Sequence, residues 1–223
     1  MSFFITLIEL TDSSRRDLET IPKMHSMIHH GLTLPEYCAF LHDLYYIVWN
    51  FCPIMATAAS RCDDRFRGVR YELYERIEEE KNHETWVLED IEVMGGDVAR
   101  TLADSPSAPA QAMIAFNYFS AERVHPCSVL GMLYALEVIA SVYAGRVSES
   151  IAHATGRNID GGGFKFLSSH STMDQDHVAS LNRLVKTIEN PAAQASIINS
   201  TRVNFYQFGR MFYEGGFSSL IDE

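Results

Sequence analysis

Six side chains able to hold metal ions, Glu80, His83, Glu137, His170, Asp174 and His177, fall at one-face helical spacings on three predicted helices. At about 100° per residue, Glu80 and His83 stand about 60° apart around one helix, and His170, Asp174 and His177 fall within an arc of about 60° on another. Glu137 lies in the middle of the apolar stretch Gly131-Met132-Leu133-Tyr134-Ala135-Leu136-Glu137-Val138-Ile139-Ala140. An ionised carboxylate is costly there without an opposing charge, and a bound cation is one natural compensation. Three carboxylates and three imidazoles suit two neighbouring iron or manganese ions better than zinc, whose structural sites use fewer ligands and favour thiolates. With iron, dioxygen chemistry is the expectation. Spacing alone does not decide which carboxylate of Glu78, Glu79, Glu80 and Glu84 turns inward. Glu80 is favoured because His83 must face the same way, and Glu84 is expected to orient an imidazole rather than to ligate.

Helices must carry these donors, and the punctuation of the chain places about seven of them. After a first helical stretch ending near Gly31, Thr33-Leu34-Pro35-Glu36 reads as a capping box that opens a helix to about Arg61. A helix over about Arg65–Met94 stops at Gly95-Gly96 and carries Glu80 and His83. Further helices are expected over about Gln111–Arg123, Pro126–Ala154 with Glu137, and Phe164–Glu189 with His170, Asp174 and His177; the last begins at Asn190-Pro191 and ends near Gly215-Gly216. No stretch reads as a sheet. The expectation is a single all-α domain over residues 1–223, a bundle of about seven helices around a central cavity.

At 223 residues, with 47% hydrophobic and 11% aromatic side chains, the chain supplies an ample core. Its net charge of −11 argues against nucleic-acid partners and against anionic membrane surfaces. No uninterrupted apolar run reaches the roughly 18–20 residues of a membrane span, and Met1–Leu10 runs into charged residues without a signal-peptide layout, so a cytoplasmic location is expected. Cys38, Cys52, Cys62 and Cys127 form no C-x-x-C pair and read as buried thiols. Tyr45, Tyr134 and Phe166 are candidates to line a substrate pocket, although aromatic clusters are usually plain core. A small-molecule substrate and a homodimer are the expected partners.

His170-x-x-x-Asp174-x-x-His177, Glu80-x-x-His83 and Leu130-Gly131-Met132-Leu133-Tyr134-Ala135-Leu136-Glu137 together resemble the haem-oxygenase-like diiron oxidase and oxygenase superfamily. That group shares its fold with haem oxygenase, the TenA thiaminases and the PQQ-synthesis oxidase. The resemblance implies a TenA-like helical bundle in which those six residues hold two irons that activate dioxygen to oxidise a small carboxylate or amino-acid-like substrate. Some members place the first Glu seven residues before the His; here that position is Arg76, so Glu80 serves. Two alternatives belong to other classes. One is a metal-free TenA-like aminopyrimidine hydrolase with Cys127 as nucleophile and Asp43 in support; the other is a non-catalytic interaction protein on the same fold. A haem oxygenase would need an axial histidine near the start, with His25 or His29 available.

Overall fold

Short-range chemistry sets several helix ends where the sequence places them. Thr33 caps the helix α3 (Leu34–Arg61): its backbone N–H donates to Glu36 Oε2 at 2.9 Å, and its hydroxyl accepts from Glu36 N–H at 3.4 Å. Asn190 accepts the Ala193 N–H at 3.0 Å to start α11 (Pro191–Arg210), which has proline in its first turn. Gly95, at φ +83°, stops α5 (His83–Val93) in the left-handed conformation that glycine adopts without strain.

The computed structural model describes residues 2–213, apart from the side chains of 172–176. Among the described residues it is all-α, without strands. The remaining helices are α1 (Phe3–Thr20), α2 (Pro22–His29), α4 (Arg67–Glu80), α6 (Val98–Ala103), α7 (Ala108–Phe119), α8 (Ser128–Ile139), α9 (Gly145–Thr155) and α10 (Lys165–Val185). Helix α11 packs on α8, α1 and α7, while α3 packs on α4, α5 and α7. Helix α10 crosses α8, α9 and α5, closing a central cavity. The expected end of the last helix near Gly215-Gly216 lies outside the described residues.

Three expected helices are interrupted or distorted, and the short α6 lies where no helix was expected, which is why the count among the described residues exceeds seven. The first stretch breaks at Ile21-Pro22, because proline cannot donate the backbone bond that continues a helix. The expected helix Arg65–Met94 breaks between Glu80 and His83. Glu78-Glu79-Glu80 brings negative charge to a helix C-terminus, where the dipole disfavours it, and Asn82 takes the left-handed conformation at φ 70°, which Asn tolerates better than most residues. The third is not severed but distorted: α8 passes through a π-helical turn at Ala140–Ala144 into α9.

The continuous span Ser128–Thr155 is long and apolar enough to cross a bilayer by composition, yet 72% of its most apolar window is buried against other helices. Its main partner is α11. A Cβ on Gly131 would lie 2.3 Å from the carbonyl oxygen of Ile197, so only glycine lets these two backbones touch. Gly131→Ala is therefore expected to destabilise the fold by about 1–3 kcal/mol through forced separation of α8 and α11, measured as a lower midpoint in urea or thermal unfolding.

Candidate metal centre

The break at Lys81-Asn82 builds the site. Glu80 closes α4 and His83 opens α5, so the two side chains meet across a turn and not along one continuous helix face. His83 Nδ1 lies 2.9 Å from Glu80 Oε2 and 3.2 Å from His170 Nε2, and His170 Nε2 lies 3.6 Å from Glu80 Oε2. All three residues are buried, and one donor atom from each falls within 4.8 Å of the others. Donors on metal bonds of about 2.1 Å stand about 3.0–3.4 Å apart between octahedral and tetrahedral geometry, so the observed separations fit one shared cation.

The second oxygen of the same carboxylate faces elsewhere. Glu80 Oε1 lies 3.4 Å from His177 Nδ1, further along α10. Glu80 thus presents one oxygen to His83 and His170 and the other to His177, an arrangement suited to bridging two ions. Glu80 is the buried member of its acidic run; Glu78 and Glu79 are exposed, and Glu79 reaches the outer nitrogen of His177 at 3.6 Å. Burial pushes the Glu80 carboxyl up, but hydrogen bonds and charge from His170 and His83 outweigh it and hold the carboxyl down at about 2.

Glu137 is 4% exposed and lines the central cavity together with Glu80 and His170. Its Oε1 lies 3.1 Å from Nη1 of the buried Arg76. Asp174 falls within the helical span of α10, but its side chain lies outside the described residues.

The imidazoles are held in place by their neighbours. His170 Nδ1–H donates to the Phe166 carbonyl at 2.9 Å, which turns Nε2 toward Glu80. Trp86 stacks on His83 and Phe166 stacks on His170, each with ring centroids 4.0 Å apart. Asp90, on the inward face of α5 seven residues after His83, receives the N–H groups of Lys165 and Phe166 at 2.8 and 2.9 Å. It caps α10 from a different helix and so sets His170 against His83.

The sequence matches the profile of the iron-containing redox enzyme family over residues 38–204. The chain belongs to that family. No curated protein matches it by sequence. A domain of unknown function with a heme oxygenase-like fold from Shewanella denitrificans superposes with a TM-score of 0.84 at 19% identity, covering 94% of this chain and 90% of that one. A TenA homologue from Pseudomonas syringae pv. tomato reaches 0.77 at 14% identity over 93% and 89% of the two chains. Heme oxygenase from Leptospira interrogans reaches 0.76 at 15% identity over 95% and 98%. These likenesses establish the heme oxygenase-like fold.

Within the iron-containing redox enzyme fold, this chain's residues count against both sister activities. Cys127 is fully buried beside Cys62, its thiol pushed up to about 12 by burial, and it does not line the cavity. Asp43, its expected support, is instead committed to the N–H and hydroxyl of Ser107. On α2 the cavity is lined by Met24 and Met27, while His25 and His29 are exposed, so neither histidine is placed to bind a haem there.

Of the three aromatic candidates, only Phe166 lines the cavity. Tyr45 packs edge-on against Tyr46, and Tyr134 against Phe4, as core residues. Glu84, expected to orient an imidazole, is half-buried on the Cys52 side of α5, and Asp90 and the Phe166 carbonyl hold the site instead. Asp90 carried a signal of its own, a carboxylate at i+7 from His83. Arg76 carried another, a cation one turn before Glu80.

Removing the clamp separates its two contributions. Asp90→Ala strips two N–H groups of their charged acceptor and is expected to cost about 2–3 kcal/mol, with reduced metal retention, whereas Asp90→Asn keeps part of both; thermal unfolding and metal analysis compare them. Because the Glu80 value in the fold lies below its usual 4.5, its contribution is fully present above about pH 4.5 and is lost as pH falls toward about 2. Acid unfolding of metal-free protein should show this loss, about 3 kcal/mol at most, and Glu80→Gln should remove it.

Proposed function

We propose that this chain is a non-haem diiron oxidase or oxygenase that uses dioxygen to oxidise a small organic substrate. The observation that carries this reading is the split of the Glu80 carboxylate between two sets of imidazoles at the wall of a buried cavity. Glu80, His83 and His170 would hold one iron, and Glu80, Glu137, Asp174 and His177 the other; manganese or a mixed pair suits the same donors. When bound, the metal pair supplies dioxygen activation, which the side chains alone do not provide.

The protein's own contribution is position and dryness. The cavity, about 100 Å³, is walled by aliphatic and aromatic groups from α2, α3, α8, α10 and α11, with Glu80, Glu137 and His170 at one end. A substrate with an apolar body would be held against that end by exclusion of water. Water kept out also protects a strong oxidant from being quenched before it meets the substrate. The Phe166 carbonyl accepts the Nδ1–H of His170 and so keeps Nε2 turned toward the position an ion would occupy.

Anaerobic loading with iron(II), counted per chain, followed by exposure to dioxygen under optical detection, tests the proposal. Close to two irons per chain and a transient oxygen-dependent absorption are expected. His177→Ala should lose one iron and the transient while keeping the helical circular dichroism. A wild-type chain that takes up no stoichiometric metal would end this reading.

A further inference from the structure

Arg76 is a buried cation beside the centre. It sits on α4 one turn before Glu80 and is 2% exposed. Its Nη1 approaches Glu137 Oε1 on α8 at 3.1 Å, and its Nη2 donates to the His177 carbonyl on α10 at 3.4 Å and stands 3.6 Å from Glu72. One guanidinium therefore ties together the three helices that carry Glu80, Glu137 and the α10 histidines.

A guanidinium does not give up its proton at any pH a protein survives, so Arg76 is a permanent positive charge inside the bundle. Burying it is costly unless an anion is paired with it, and the same holds for Glu137. In the metal-free protein each offsets the other. The Nη1 approach to Glu137 is a contact of charge without hydrogen-bond alignment, so that arm of the guanidinium holds the carboxylate by electrostatics alone. A cation arriving at Glu137 meets a site whose anion is already shared, and it is repelled by the guanidinium beside it. The contacts of Arg76 are with Glu72, Glu137 and the His177 carbonyl, whereas in the Glu80–His83–His170 cluster the carboxylate lies between two imidazoles.

We propose that Arg76 is a built-in counter-cation that makes the two metal positions unequal. It neutralises Glu137 while the second position is empty and competes with the second ion for that carboxylate. The first ion then binds at Glu80, His83 and His170, and the second binds more weakly at the Glu137 side. This inference rests on the diiron reading above. It assigns Arg76 a positioning role, acting on the metal through Glu137.

Stepwise binding of manganese(II), followed anaerobically by calorimetry and by metal counts, separates the alternatives, with thermal unfolding of the metal-free protein as a second readout. Wild type is expected to show one tight step and a second at least tenfold weaker. Arg76→Gln should melt at a lower temperature without metal, bind the second ion at least tenfold more tightly than wild type, and gain more thermal stability from manganese. Arg76→Lys, which keeps the charge, should keep the weak second step. If Arg76→Gln is unfolded without metal, refolding in manganese(II) is expected to recover it with two ions per chain, and failure to recover overturns the proposal. A second step unchanged or weakened in Arg76→Gln also overturns it, reducing Arg76 to a helix tie while leaving the diiron reading in place. Absence of any manganese or iron binding by wild type removes the diiron reading itself.

Discussion

Carboxylates held inside an apolar bundle need positive charge beside them, and the arrangement of this protein depends on that requirement. Glu80 and Glu137 are both nearly inaccessible to water. Without metal, Glu80 is offset by the imidazoles of His83, His170 and His177, and Glu137 by the guanidinium of Arg76. Each of these pairs spans two elements, so the charge balance also ties α4 to α5, α8 and α10. The helices that bring the donors together are held in register by the same contacts that make burying those donors tolerable.

Rigidity around the centre comes from groups that bind no metal themselves. Trp86 and Phe166 lie flat against the two imidazoles that face Glu80, and the Phe166 carbonyl selects the tautomer of one of them. Asp90 caps α10 from α5, across the centre, and Tyr37 donates to the Gly163 carbonyl at 3.0 Å just ahead of that helix. Burial pushes the Asp90 carboxyl up, and the two N–H groups it accepts pull it back, so the clamp is itself a desolvated anion satisfied by a helix end. Fixing the donors this way lowers the reorganisation needed when an ion binds.

The cavity joins this polar end to an otherwise apolar interior. A π-helical turn over Ala140–Ala144 follows Ile139 and shifts the register of α9 relative to α8. Glu137 on one side of the turn and Tyr143, Ala144 and Val147 within and beyond it all reach the same space. The Tyr143 hydroxyl is turned away from that space, donating to Glu19 at 2.8 Å and accepting from Arg15 at 3.3 Å, so the tyrosine contributes its ring to the wall and its polar atom to the α1 side.

Much of this was legible in the residues. Periodicity and caps such as Thr33-x-x-Glu36, Gly95 and Asn190-Pro191 specify where helices begin and end, because those signals act over a few residues of backbone. The donors of α10 and the lone carboxylate of an apolar helix stand out for the same local reason. Other features depend on parts of the chain far apart in sequence. The Glu80–His83 pairing was expected along one helix face, yet it arises across a break, because an acidic helix end and a left-handed Asn82 let α5 leave α4 in a new direction, both helices packing on α3. That Phe166 lines the cavity while Tyr45 and Tyr134 are core, that Asp90 caps a helix 75 residues later, and that Arg76 neutralises Glu137 are all decided by which helices lie side by side. Local sequence determined the helices and the kinds of donor they carry; only tertiary packing decided which charges meet, since contact between buried ions depends on helix placement that no spacing along a single helix encodes.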